Sequence, residues 1–467
     1  SSPAGMTFCF AAGTYGNASQ LEPKSGDVFD GDGQQAVLDG GNSAQWAFYG
    51  DARSIGPSGV TIRDFTIQHY ASPLQRGAIQ DYNGANWIIQ DNNITSNAAA
   101  AVATGDYVKV LGNKLDENQQ EGFSAHGTGG LYEGNDISNN DTALNSDPSN
   151  GLWADWEAGG GKAFFTTNLT FKDNTVDNNG GNGLWADTNN IYTTYIGNTV
   201  DNNSGAGIYE EQSYDFTITG NTVTRNGMPS SPGGGSKAGY AFAAGIQVRR
   251  SGALSGDTAV ISGNTVANNY NGITLIESPP TVDCGPDGCR YFTWRVQNVT
   301  VRDNGVTMTQ GATGAWEDGE GDQVFNSNNN HFTGNSYCVS SDTQRNDGYT
   351  YGWFGWLDGW PSFSSWQGYG NDTRGTYVVT SSQCSPPGGG GNGGGGLAYD
   401  ATGSTAMPSG RPASMSSRLS AASASSVTTA RDLACSVVCG GPLEYLRRQR
   451  DPRPVHSPRV SADFRSS

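Results

Sequence analysis

The chain has no run of about 20 consecutive apolar residues, which excludes a membrane-spanning helix. It is poor in charge, at 15% Asp, Glu, Lys and Arg, and poor in hydrophobic residues, at 35%. Helix-forming periodicity is missing, and 68 glycines spread through the patterned regions argue against a helical bundle. Cysteine is scarce as well: seven in 467 residues cannot make a disulfide scaffold. Cys284 and Cys289 flank a Gly-Pro-Asp-Gly turn, and Cys338 and Cys384 bracket the end of the acidic region, so two local disulfides are expected in an extracellular protein. Zinc fits less well, because neither pair has the two-residue spacing of a knuckle and no His lies near. Cys9, Cys435 and Cys439 remain unassigned. No signal peptide is visible, and Ser1 in place of an initiator Met suggests a processed start to a secreted chain.

What is abundant is acid. The formal net charge is −18, divided between −22 over residues 1–385 and +4 over 386–467. A body of that sign repels nucleic acid and anionic surfaces, whose recognition relies on clustered Lys and Arg. A neutral partner is expected, with no membrane association and a monomeric state.

A short phrase recurs through the acidic body: DNNI at 91–94, GNKL at 112–115, GNDI at 134–137, DNTV at 173–176, GNTV at 197–200, 220–223 and 263–266, and DNGV at 303–306. Its asparagines, 92, 113, 135, 174, 198, 221, 264 and 304, are separated by 21, 22, 39, 24, 23, 43 and 40 residues. The short steps define a basic coil and the long ones the same coil with insertions. Alternating segments such as Leu169–Lys172 and Phe216–Thr219 precede the phrase and read as strands. The Asn fits a tight turn, with its own backbone at φ > 0, and stacked asparagines would bond one another as a ladder. A 21–24-residue period with two or three short strands per turn indicates an all-β parallel solenoid. Leucine-rich repeats have a similar period but need a Leu framework that is absent.

The strand-GNTV-xNN coils, the GLWAD and GIYEE segments, and SFSSWQGYGND at 362–372 resemble the pectate-lyase-like right-handed parallel β-helix superfamily of secreted carbohydrate-active enzymes. The likeness covers residues 5–385. It implies a right-handed parallel β-helix over 1–385, while hydrolases, lyases, epimerases and non-catalytic adhesins all use the fold.

Aligned on glycine, a second segment reads Gly122–His126, Gly151–Asp155, Gly183–Asp187, Gly207–Glu211, Gly245–Arg249 and Gly272–Ile276. The second position is always apolar and faces inward. Strand alternation then puts the third position (Ser124, Trp153, Trp185, Tyr209, Gln247, Thr274) and the fifth (His126, Asp155, Asp187, Glu211, Arg249, Ile276) on the outer face. Glu210 falls in the inward register, as a paired supporting group or one slipped to the strand end. The segments 141–150, 157–168 and 227–244 read as insertions walling this stripe.

Aromatic rings beside carboxylates suit sugar, and glycoside hydrolysis needs two carboxyl groups. The expected reacting pair is Asp187 and Glu211, with Asp155 as a third carboxylate that raises a neighbour's pKa or holds a water. Trp153, Trp185, Tyr209, Gln247, His126, Arg249 and Glu210 are the expected substrate-binding or supporting residues. No metal or cofactor is expected for a hydrolase. A polysaccharide lyase or uronate epimerase is the main alternative, with Arg249, Arg250 or His126 acting and the acids holding calcium; the acidic body and the lack of Lys in the stripe weigh against it. A glycan-binding β-helix without activity is the third reading. Trp353, Trp356, Trp360 and Trp366 are expected to cap the solenoid, ahead of a Gly-rich linker at 386–396 and a disordered tail or degenerate module at 397–467.

Overall fold

In a computed structural model of the chain, the repeated phrase closes each coil by a corner between two three-residue strands. In one such coil Thr170–Lys172 precedes the corner and Thr175–Asp177 follows it. The middle residues, Phe171 and Val176, point inward and are fully buried. Asp173, between the strands, takes φ +53°, and the equivalent Gly197 takes +69°. The left-handed conformation therefore falls on the Gly or Asp before the asparagine, not on the asparagine itself. That corrects the sequence expectation by one residue and explains why the phrase begins with Gly or Asp.

The asparagine side chain is thereby turned inward, where it ladders. Asn174 donates from its backbone N and from Nδ2 to Asn198 Oδ1, at 3.0 and 2.9 Å. Asn198 Nδ2 in turn donates to Asn221 Oδ1 at 2.9 Å and to the Phe171 carbonyl at 3.0 Å. The same bonds join 92, 113, 135, 174, 198, 221, 264, 304 and 335. A second ladder, not foreseen, runs five residues later through 97, 118, 140, 179, 203, 226 and 269.

The structure describes residues 2–379 except 17–19, 53, 143–156, 232–241, 256–257, 279–288, 318–321, 347–348 and 358. The expected linker and tail lie outside them, as do Cys284 and Cys384. Cys289 and Cys338 are each disulfide-bonded. Among the described residues, successive coils stack into three parallel sheets of 12, 13 and 11 strands, each coil contributing a strand to each sheet in turn. Apolar side chains from all three fill one continuous core. No described helix is long and apolar enough to cross a membrane.

The far end closes as the tryptophans suggest. Trp353, Trp356 and Trp366 are buried. Asp372 takes the next place in the first ladder, its Oδ1 accepting from Asn335 N and Nδ2 at 2.9 Å. Its Oδ2 accepts from the Tyr337 hydroxyl at 2.7 Å and Trp366 Nε1 at 3.0 Å. An aspartate can end the ladder because the last rung needs only to accept.

Replacing one rung should reveal the ladder's weight. Asn198→Ala leaves two buried N–H donors of Asn174 and the Phe171 carbonyl without this partner, and about 2–4 kcal/mol of stability should be lost. Guanidinium unfolding followed by circular dichroism measures it; an unchanged midpoint would mean that the rungs contribute little.

Candidate active site

The 11-stranded sheet carries the outward stripe. Its adjacent strands Glu121–Thr128, Gly159–Thr167, Asn182–Asp187, Ile208–Glu211, Ala244–Arg249 and Asn271–Glu277 are parallel and in register. Leu184, Ile208, Ile246 and Ile273 form the inward column, as expected. Asp187, Glu211, Arg249 and Ile276 stand opposite one another in consecutive strands, confirming their shared level.

One coil differs from the expectation. Strand Glu121–Thr128 pairs directly with Gly159–Thr167, which pairs with Asn182–Asp187. Trp153 and Asp155, expected in the stripe, lie outside the described residues. Residues 159–167, expected as part of an insertion, are the strand. The physical reason lies at Gly161, which occupies the inward column beside Phe123. A Cβ there would come within 2.3 Å of the Phe123 ring. The ring already fills that space, so the coil needs no apolar side chain of its own and hides from a pattern search.

The re-registered coil brings in Lys162, aligned between Ser124 and Trp185. The expectation of a stripe without lysine is thus overturned. The side chain is nearly buried, with Nζ 3.4 Å from Asp187 Oδ2 and paired also with Glu157. It lies 5.3 Å from the Trp185 ring centroid and 5.7 Å from that of Phe164. Asp187 accepts a further bond at Oδ1 from the Thr188 hydroxyl, 2.9 Å away. On the next strand Glu211 Oε1 accepts from Arg249 at 3.2 Å, while Arg249 Nε donates to Ser278 Oγ at 2.9 Å. Along the stripe the order is cation, acid, acid, cation.

Burial pushes the Glu211 carboxyl up to about 7; the charge of Asp187 adds to the effect, while Arg249 and the Tyr209 hydroxyl oppose it. Glu121, one residue before the aligned glycine and missed in the sequence, is also fully buried and pushed up to about 8 by desolvation, with Lys162 opposing. His126 is shifted down by burial, with Arg290 adding and Asp106 opposing, and its ring packs 5.3 Å from that of Phe164.

Trp185 and Tyr209 stack on each other, ring centroids 5.8 Å apart and planes 9° from parallel. They are 9% and 7% exposed, so they form a packed wall rather than open platforms. Trp185 Nε1, Gln247 Oε1 and Thr274 Oγ1 in the same outward column are buried with no hydrogen-bond partner. Glu210 faces the core, fully buried beside the Tyr195 hydroxyl, and burial raises its pKa well above the usual carboxylate range. It faces the interior, behind the outer face on which the stripe stands. Among the described residues, no cluster of three or more His, Cys, Asp or Glu is placed to hold a metal ion.

The family model for a right handed beta helix region matches residues 24–155 and 56–255. The match agrees with the three parallel sheets and with the right-handed parallel β-helix expected from the sequence. Similar solved structures include the A-module of the Azotobacter vinelandii mannuronan C-5 epimerase AlgE6, at 14% identity over 82% of this chain and 92% of that one, TM-score 0.42. The AlgE4 A-module of the same organism is 13% identical over 72% and 86%, TM-score 0.43. The catalytic domain of a GH87 α-1,3-glucanase is 14% identical over 71% and 60%, TM-score 0.41. These likenesses concern the fold. No curated protein sequence matches.

The Glu211 shift has a sign that can be tested. Its folded pKa of about 7 exceeds the free value of 4.5, so the folded state holds this proton more tightly. The associated stability is complete below about pH 4.5 and is lost as pH rises through about 7. Denaturation midpoints at pH 5 and pH 8 should differ less for Glu211→Gln than for the unaltered chain; an equal difference would place the pKa elsewhere.

Proposed function

We propose that the chain is a secreted glycoside hydrolase acting on a neutral polysaccharide or oligosaccharide, with Glu211 as general acid and Asp187 as its partner carboxylate. The observation that carries this reading is the pair itself: two carboxyls directly opposite on adjacent strands, one of them holding its proton to about pH 7. Adjacent parallel strands lie ~4.8 Å apart, close to the ~5–5.5 Å carboxyl separation of retaining glycosidases.

In that mechanism Glu211 gives its proton to the glycosidic oxygen as Asp187 attacks the anomeric carbon. The leaving sugar departs with that proton, and a glycosyl ester on Asp187 remains. Glu211, now a carboxylate, takes a proton from water, and the resulting hydroxide equivalent releases the sugar and regenerates both groups. Lys162 and Thr188 orient Asp187, and Arg249 orients Glu211. The unpartnered Trp185 Nε1, Gln247 Oε1 and Thr274 Oγ1 are suited to sugar hydroxyls. The disulfide-bonded Cys289 and Cys338 support an oxidising, extracellular location.

Lys162 favours a second reading. A lysine on this face, absent from the sequence expectation, is the kind of group that neutralises a uronate carboxylate or takes its α-proton, as a polysaccharide lyase or uronate epimerase requires. Neutral and acidic polysaccharides assayed in parallel separate the two. Hydrolysis yields new reducing ends without ultraviolet absorbance, and lyase action yields an absorbing unsaturated product.

For the hydrolase, Asp187→Asn and Glu211→Gln should each lower kcat by about 10²–10⁴. The activity of the unaltered enzyme should fall above about pH 7 as Glu211 loses its proton. Retained cleavage in both variants would rule out the pair.

A further inference from the structure

Leaving the 11-stranded sheet, six successive described coils turn a second corner on the way to the 12-stranded one. The residues there form a column: Asn86, Tyr107, Gly129, Asn168, Tyr192 and Asp215, at φ between +44° and +70°. From Tyr107 to Tyr192, each backbone N–H donates to the carbonyl just before the next member: Tyr107 to Thr128, Gly129 to Thr167, Asn168 to Ile191 and Tyr192 to Tyr214. Gly, Asn and Asp are the residues that tolerate this conformation; a bulky aromatic side chain is disfavoured in it. Tyr107 and Tyr192 therefore depart from the rule of the column. Both are 52% exposed, so core packing does not explain them.

Tyr192 stands at the edge of an open groove of about 410 Å³, which it lines together with Asn168, Asp215 and a row of threonines. Thr170, Thr194 and Thr217 are in register on adjacent strands of the 12-stranded sheet, and the residues after them, Phe171, Tyr195 and Ile218, are buried in the core. The threonines thus lie on the outer face, spaced ~4.8 Å apart by the strands. That interval is comparable to the rise of one sugar unit in an extended glycan. The groove combines an exposed ring for stacking on a sugar face, hydroxyls at a regular repeat, an amide and a carboxylate, with no Lys or Arg in its lining.

We propose that this groove, with Tyr192 as its anchor and Tyr107 three coils away on the same edge, is a second glycan-binding site for an extended, uncharged polysaccharide. It holds the chain on polymer while the 11-stranded sheet acts. The choice of a glycan as ligand rests on the function proposed above, whereas the groove and its misfit tyrosines do not.

Affinity electrophoresis of the full chain in gels containing dextran, laminarin, arabinoxylan or, as an acidic control, polygalacturonate tests the site. Tyr192→Asn and Tyr107→Asn install the residue that the column itself uses, so they remove the ring while keeping the corner. At least one neutral polymer should retard the protein, and Tyr192→Asn should weaken that retardation about three- to tenfold, the range expected for one aromatic contact. Tyr107→Asn should weaken it in the same direction, and Asp187→Asn should leave it unchanged. Retardation by no neutral polymer, retardation indifferent to Tyr192→Asn, or retardation lost with Asp187→Asn would overturn the proposal. Cleavage of short soluble oligosaccharides is measured separately. If no glycan is cleaved while retardation remains sensitive to Tyr192→Asn, the hydrolase reading fails and the binding site stands.

Discussion

Everything in this molecule depends on the amide of buried asparagine. A carboxamide has a donor and an acceptor in one plane, so a single side chain can take two N–H bonds from the preceding coil while giving its own hydrogens to the next rung and to a backbone carbonyl. Leucine could fill the volume but would strand those backbone groups, and aspartate lacks the donors. The two ladders lie five residues apart and bracket the short strands of the 13-stranded sheet, as with Asn174 and Asn179 around Val176. The coil is pinned twice on that side, which fixes its rise and register. The opposite, 11-stranded sheet can then accept insertions and charge without unravelling the stack. The long steps of 39 and 43 residues between successive asparagines are compatible with unbroken rungs, since Asn135 still bonds Asn174 and Asn221 still bonds Asn264.

That tolerance is used for an arrangement that would be unstable alone. Two unit negative charges ~5 Å apart repel by about 3 kcal/mol at an effective dielectric constant of ~20. Asp187 and Glu211 meet that condition by register, and each turns to a cation on its far side, Lys162 and Arg249. The two acids are not equivalent. Asp187 accepts from Lys162 and Thr188, whereas Glu211 accepts from Arg249 and is pushed up by burial and by the charge of Asp187. A difference of environment between adjacent carboxyls is what acid and base roles require.

Much of this was legible in the sequence because the same physics recurs at every coil. The asparagine column and the shared level of Asp187, Glu211 and Arg249 follow from spacing and strand alternation. What failed did so for local reasons. The turn chemistry was assigned to the asparagine when the preceding Gly or Asp carries it. The neighbour of the strand at 182–187 is 159–167, which was read as part of an insertion and begins with three glycines. Its inward position is vacant by design, since the Phe123 ring from the coil before occupies the level of Gly161. A residue-by-residue pattern presumes that each coil fills its own level, and a ring spanning two levels defeats it. Lys162 and its partner Glu157 were lost with that coil, and Glu121 was lost because it precedes the glycine on which the segments align.

Glu210 shows how the site confines its charge. It follows Tyr209 and precedes Glu211, so strand alternation drives it into the core directly behind the outer acid. An ionised carboxylate there would add a third negative charge to the pair at close range and in a poorly screened medium. Full burial instead pushes the Glu210 pKa well up and so favours its neutral form, next to the Tyr195 hydroxyl of the neighbouring sheet. Burial disfavours charge on the interior acid and so limits the repulsion that the outer acid meets from behind. Charge at this level is thus restricted to the outer face, where Lys162 and Arg249 can answer it.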